Sequence, residues 1–494
     1  MFEAVCLGRS LSKSEFKAQE IGLREKLLDA QFTLQQQNKA MLIILAGVDG
    51  AKKSDVIDRL NEWLDTRHIR VHAFWNESNE ETERPFYWRF WRNMPPRKQI
   101  GIFFAGWYWQ AIHDHTDGNI SDEEFDHACS LIQETECMLH DDDLIIVKLW
   151  LHLGKDEQKK RLKAVRKRFK RAHLPLQEGK IYKKYDAYIN AAQRAIQITD
   201  NVACKWHLIE ATDPHYRDIT AGQVVLEAMQ KAVAEHREVD RRRIIHKTAL
   251  AVEPDKTVLD TLDLSPASAG NHDKAKLEKY QEKLHDLGWE CFAQKRSVVL
   301  VFEGWDAAGK GGAIRRITKA LDARLYRVIS IAAPSDEELA QQYLWRFWRQ
   351  IPRAGYFTLY DRSWYGRVLV ERVEQLASDQ EWGRAYQEIN HFEEQLVDHG
   401  IVLQKFWLHI DQDEQLTRFK ARETTPWKNY KITPDDWRNR DKWDAYKLAV
   451  HDMVARTSTD KAPWHLIPAN DKTAARAQIL KCICDKIEAV LAKR

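Results

Sequence analysis

The sequence has no apolar run long enough to cross a bilayer. The longest, around Met41–Val48 and Ser297–Phe302, are far below the roughly 20 residues that a spanning helix needs. Its first residues, MFEAVCLGRSLSKSEF, contain no sustained apolar segment of the kind a secretory signal carries. Cysteine is scarce: seven are scattered along 494 residues, and only Cys482 and Cys484 stand close together, which excludes a disulfide framework and a cysteine-type metal site. Charge of one sign is not in excess either. The 77 basic and 74 acidic residues leave a formal net charge of +3, which argues against a general nucleic-acid coat while permitting a local basic site. These absences predict a cytoplasmic chain with reduced thiols, no membrane partner and no nucleic-acid partner, and they leave a homo-oligomer open.

What is present is a repeat. WRFWRNMP at 88–95 returns as WRFWRQIP at 345–352, and KLWLHL at 148–153 returns as KFWLHI at 405–410, both at an offset of 257. LAGVDG at 45–50 matches FEGWDA at 302–307 at the same offset, and WHLI at 206–209 returns at 464–467 after a one-residue insertion. A period of domain size means two tandem copies of one fold. The expected organisation is copy one at 1–238, a linker at 239–272 and copy two at 273–494.

Each copy reads as alternating strands and helices. In copy two, SVVLVFE (297–303), YRVISI (326–331), YFTLYD (356–361), VLQKFWLHI (402–410) and WHLIPA (464–469) read as strands, with a helix at 311–321. That order predicts an α/β fold, a parallel sheet with helices on both faces. The segment YLWRFWR (343–349) is read as core rather than as a ligand-stacking surface.

Between the first strand and first helix of copy two lies Gly304-Trp305-Asp306-Ala307-Ala308-Gly309-Lys310-Gly311-Gly312, the G-x-x-x-x-G-K spacing of a phosphate-binding (Walker A) loop. Its glycines let backbone N–H groups turn onto phosphate oxygens, and the helix start adds a positive dipole end. Lys310 would neutralise the phosphoryl group in transfer. The usual Ser or Thr after the lysine is Gly311 here, so a Mg²⁺ ion needs other ligands. Asp306 and Asp361, the latter at a strand end, are the candidates. Arg362 and Arg367 would contact phosphate on the acceptor side. A basic stretch at 418–443, with Arg418, Lys420, Arg422, Lys428, Lys431, Arg438 and Arg440, is expected to form a helical lid over the phosphates.

GWDAAGKGG, YDRSWYGR, KFWLHI and DDWRNRDKWDAY, in that order across 297–470, resemble the polyphosphate kinase 2 family. The fused double copy is similar to its polyphosphate:AMP phosphotransferases. The resemblance implies a P-loop kinase-like fold, inorganic polyphosphate as phosphoryl donor, AMP as acceptor, ADP as product and Mg²⁺ as cofactor. It assigns chemistry to Asp306, Lys310, Asp361 and Arg362, and phosphate contact to Gly309, Lys310, Gly311, Gly312, Arg367, Arg422 and Lys428. Two other readings stay open: a nucleoside monophosphate kinase with ATP as donor, and a phosphate-binding scaffold without turnover.

Copy one departs from the motifs. Gly309, Gly311 and Gly312 are replaced by Lys52, Ser54 and Asp55, and Asp361 and Arg362 by Phe104 and Ala105, while Asp49 and Lys53 persist. Without the glycines the loop should not wrap phosphate easily. Copy one is therefore expected to be degenerate and non-catalytic, a packing partner or a secondary polyphosphate surface through KKRLKAVRKRFKRAH (159–173). Lys53 is expected to be an expendable surface lysine.

Overall fold

The computed structural model describes residues 1–5, 8–168, 184–242, 256–265, 271–426, 432 and 434–492. Lys428 and Lys431, part of the basic run of copy one and part of the linker lie outside the described residues.

Two five-stranded parallel sheets form. The first contains β1 (Ala40–Gly47), β2 (Ile69–Ala73), β3 (Ile100–Phe104), β4 (Leu144–His152) and β5 (Trp206–Glu210) in the order β2-β3-β1-β4-β5. The second contains β6 (Val298–Gly304), β7 (Tyr326–Ser330), β8 (Phe357–Asp361), β9 (Val402–His409) and β10 (Trp464–Pro468) in the equivalent order β7-β8-β6-β9-β10. The strands read from the sequence in copy two agree within about one residue at each end. Their interiors are apolar without alternation because helices cover both sheet faces, as in β6, buried from Val298 to Glu303. Trp345 and Trp348 are buried, so YLWRFWR is core, as expected.

In each sheet the strand order reverses at the central strand, β1 or β6. The crevice beyond the C-terminal ends of such strands is where open α/β sheets bind ligands. Register then places the strand-end carboxylate: Phe302 pairs with Asp361, so Asp361 ends β8 beside the start of the phosphate loop.

The chain divides into two compact units, and each borrows a short helical segment from the other half of the sequence. Unit one comprises Met1–Glu77, Arg89–Ile245 and Ser335–Gln342. Unit two comprises Ser78–Trp88, His246–Pro334 and Tyr343–Arg494. Within unit two, Arg353 pairs with Glu83 at 2.6 Å and Arg84 Nε donates to the Ile351 carbonyl at 3.2 Å. Within unit one, the Arg97 amide donates to the Ala340 carbonyl at 2.7 Å. A fragment starting at residue 273 would therefore lack part of its own unit, including the carboxylate opposite Arg353.

One buried polar cluster occurs in both units. In unit two, Lys405 Nζ meets Glu393 Oε2 at 2.7 Å and the Thr457 carbonyl at 2.7 Å. Tyr365 Oη and Trp364 Nε1 donate to Glu393 Oε1 at 2.7 and 2.9 Å. Unit one repeats it with Lys148, Glu136, Thr199, Tyr108 and Trp107. Because it persists where the phosphate motifs are lost, it serves the fold: it fixes the segment after β8 that follows Asp361. Glu393→Ala strands the Lys405 ammonium in the core and should destabilise the protein by about 3–5 kcal/mol. Urea unfolding checks this, and a shift below about 1 kcal/mol would show that the pair contributes little.

Candidate active site

The loop of unit two runs from the end of β6 into the helix Lys310–Ala320. Gly304 is required by close approach: a Cβ there would lie 2.5 Å from the Leu408 carbonyl oxygen. Gly309 caps the helix at φ +115°, a conformation that side chains rarely adopt. Lys310 Nζ folds onto the loop, donating to the carbonyls of Gly304 at 2.6 Å and Trp305 at 3.2 Å. Gly311 leaves open the space in front of the strand-end acid; a Cβ there would be 3.9 Å from Asp361 Oδ2.

Asp306 is held from three sides. Its Oδ1 faces Arg362 Nη2 at 3.3 Å, its Oδ2 accepts from Asn439 Nδ2 at 2.9 Å, and its carbonyl accepts from Gln415 Nε2 at 3.1 Å. The Asp361 carboxylate makes no hydrogen bond or ion pair among the described residues. Arg362, at φ +65°, carries a side chain that is 56% exposed at the rim of the site. Lys310, Asp306, Asp361 and Arg362 are thus brought together as the sequence suggested.

These carboxylates fit a hard divalent cation. They offer only oxygen, Asp361 is uncommitted, and Mg²⁺ binds through one or two carboxylates while phosphates and water complete its shell. No cluster of three or more His, Cys, Asp or Glu suited to a metal stands among the described residues.

Other expected phosphate ligands sit differently. Arg367 is paired with Glu371 at 3.1 Å and stacked over the Tyr343 ring at 4.5 Å. Arg418 was expected in the lid, but its side chain is 5% exposed, in the helix Gln412–Glu423. Its guanidinium donates to the carbonyls of Ala307 and Ala308, each at 3.0 Å, and of Ala469 at 2.7 Å. It braces the loop from behind, because loop carbonyls turned away from phosphate need a donor. Arg422 lies on the same helix, half-buried. Of the remaining basic residues, Arg438 pairs with Glu374 at 3.3 Å and Arg440 donates to the Gln412 carbonyl at 2.8 Å.

Three features were not anticipated. Glu303 is buried at the end of β6, where Ser363 Oγ donates to it at 2.8 Å. Burial pushes its carboxyl up, while Lys310 and the Ser363 hydrogen bond pull it back. An acid in an otherwise apolar strand was the available signal. Trp305 stacks flat on Trp443 at 3.7 Å and donates to His409 Nδ1 at 2.9 Å, tying the loop to the helix Trp443–Thr457. Arg476, finally, comes from the last helix, Lys472–Leu491, its guanidinium beside Gly312. Burial lowers its pKa first, followed by repulsion from Arg316, Arg418 and Arg315. Only tertiary packing could show that these four arginines converge.

Unit one keeps the loop's outline with different residues. Lys52 takes the left-handed cap at φ +62° in place of Gly309, so the turn survives the loss of glycine more fully than expected. Lys53 repeats the pose of Lys310, donating to the carbonyls of Gly47 at 2.9 Å and Val48 at 3.3 Å. With 15% of its side chain exposed it is not a surface lysine, which corrects the sequence reading. The arginine cluster is altered, although Arg217 still brings a guanidinium to the loop, 3.4 Å from the Ala51 carbonyl and 3.8 Å from Asp55. Arg59 and Arg161 match Arg316 and Arg418, but Asp58 and Asp218 stand where Arg315 and Arg476 would be. Asp218 is neutralised by Arg217 at 2.7 Å.

Comparison with known proteins agrees with this duplicated site. The polyphosphate kinase 2 family matches the chain twice, at residues 10–237 and 268–494. A polyphosphate:AMP phosphotransferase of Pseudomonas aeruginosa is 46% identical over 100% of both chains, and one of Acinetobacter johnsonii is 37% identical over 94% of this chain and 95% of its own. A crystal structure from Pseudomonas aeruginosa described as polyphosphate kinase 2 superposes with a TM-score of 0.89 at 44% identity, covering 100% of both chains. Two copies of the fold and a family match over nearly the whole length lead to one conclusion: the chain belongs to the polyphosphate kinase 2 family.

Proposed function

We propose that unit two transfers the terminal phosphoryl group of inorganic polyphosphate to AMP, giving ADP and a chain one phosphate shorter. The P–O bond between the last two phosphorus atoms breaks, and a new one forms to an AMP phosphate oxygen. The full-length relatives that carry this activity in their names support the assignment. The observation that carries it within this chain is the glycine loop with Lys310 folded onto it, Arg362 on Asp306, and Asp361 Oδ2 facing the gap at Gly311. Arg476 beside Gly312 adds a cation that Arg316 and Arg315 repel, and a polyanion relieves such repulsion.

In this reading the loop amides and Lys310 hold the phosphoryl group in transfer, and Arg362 neutralises the incoming acceptor phosphate. Asp306 and Asp361 hold Mg²⁺, which when bound would draw charge from the phosphate oxygens. Lys310 leaves the carbonyls of Gly304 and Trp305 when phosphate arrives.

The deciding experiment offers AMP and Mg²⁺ with either polyphosphate or ATP and follows ADP. Product from AMP and polyphosphate supports the proposal. Product only with ATP identifies a monophosphate kinase, and none with either, despite binding, identifies a scaffold. Arg476→Asp installs the residue that unit one carries at this position. It should raise KM for polyphosphate at least about tenfold and change KM for AMP little, since an interaction lost in binding appears in KM. Steady-state kinetics with each substrate varied checks this, and equal losses for both would count against a polyphosphate track.

A further inference from the structure

Unit one is not merely an emptied copy. Where the catalytic crevice would be, it holds a cavity of about 250 Å³ over the C-terminal ends of β1, β3 and β4. Four of its lining residues are aromatic where copy two has none: Phe74 replaces Ile331, Trp75 replaces Ala332, Phe104 replaces Asp361 and Trp109 replaces Gly366. Trp150 and Tyr188 add the rings common to both copies. The positions that lost a metal ligand and a flexible glycine have thus gained ring surface. Random decay would not be expected to put rings at four lining positions.

The charged groups lining the cavity are Asp49, Lys52, Lys53 and Arg161. Asp49 Oδ2 is buried and accepts no hydrogen bond, whereas its counterpart Asp306 Oδ2 accepts from Asn439. A buried carboxylate oxygen without a donor is costly and invites one from a ligand. Lys53 donates to loop carbonyls as Lys310 does. What distinguishes the cavity from the site of unit two is its rings. Trp75, 51% exposed, lines the cavity with its ring 6.2 Å from the Phe104 ring.

We infer that this cavity is a second, non-catalytic site for a purine nucleoside, free or as its monophosphate. The fused ring stacks among Trp75, Phe104 and Trp109, and a ribose hydroxyl or exocyclic amine donates to Asp49 Oδ2. Stacking of bases on aromatic side chains tolerates different bases and weakens about tenfold or more when a ring is removed. The site lies wholly within unit one and does not depend on the reaction proposed for unit two.

The test is equilibrium dialysis of the full-length protein with labelled adenosine and, separately, labelled AMP, without polyphosphate. Tryptophan emission is followed in parallel. The inference expects Trp75→Ala to weaken adenosine binding about tenfold or more, with Trp109→Ala adding to the loss, while Lys310→Ala leaves it intact. It also expects a change in emission that Trp75→Phe removes while preserving binding. Trp75 is half exposed, so its replacement should not unfold the protein. Adenosine and AMP binding alike, each weakened by Trp75→Ala, means that the ring and sugar are recognised and supports the site; AMP binding without adenosine binding, unchanged in Trp75→Ala, belongs to the acceptor site of unit two and overturns the inference. Adenosine and AMP that bind equally well to wild type and to Trp75→Ala, or bind only while Lys310 is present, would overturn it, as would no binding of either.

Discussion

Asp361→Asn should lower turnover by about a thousandfold without unfolding the protein. The carboxylate makes no hydrogen bond or ion pair among the described residues, so folding loses little when it becomes an amide. Its loss is expected to be felt in the reaction. Asp361 Oδ2 faces the space that Gly311 leaves empty beside the loop, where phosphate oxygens and Mg²⁺ would meet. Removing one of the two proposed charged ligands should cost several kcal/mol of transition-state stabilisation, and about 4 kcal/mol corresponds to three decades in rate. The measurement is ADP formation from AMP and polyphosphate across a Mg²⁺ titration, beside a thermal unfolding curve. Near-normal turnover at limiting Mg²⁺ would remove Asp361 from the metal site.

The second large effect separates the two lysines. Lys310→Ala should reduce turnover by more than about a hundredfold, because the lysine charge meets the group in transfer. Lys53→Ala should leave turnover nearly unchanged, since Phe104 and Ala105 supply neither metal ligand nor phosphate contact. It should nonetheless be felt in stability. Lys53 donates to two loop carbonyls, faces Asp49 at 3.7 Å and lies 5.8 Å from the Phe104 ring centre. Losing those hydrogen bonds should cost about 1–2 kcal/mol, more than an exposed lysine would. A Lys310→Ala protein that still makes ADP at a substantial rate, with that rate vanishing when Lys53 is also replaced, would show that unit one is catalytic after all.

The grouping of Lys310, Asp306, Asp361 and Arg362 was legible because its parts are local or strand-bound. A glycine loop between strand and helix places Lys310 whatever the rest of the chain does, and parallel register then carries Asp361 to the same crevice. Arg418 was read as a lid residue because a run of basic residues says nothing about which of them turns inward. Lys53 was read as a surface lysine for a similar reason: glycine loss suggested a broken loop, yet Lys52 holds the left-handed turn.

By itself the sequence determined the duplication, the parallel α/β fold, the phosphate loop and the copy that had lost it. Each of these follows from a repeat offset, a hydrophobic period or residues adjacent along the chain. Only the tertiary structure decided which distant charges meet. Arg315 and Arg316 follow the loop, Arg418 follows β9, and Arg476 lies in the last helix. Their convergence depends on how those helices pack on the sheet. The same holds for the rings of unit one: Trp75 follows β2, whereas Phe104 ends β3 and Trp109 comes after it, so they line one cavity only when β2 and β3 pair. Charge repulsion and ring stacking act through space, and no spacing along the chain encodes the distance between groups brought together by folding.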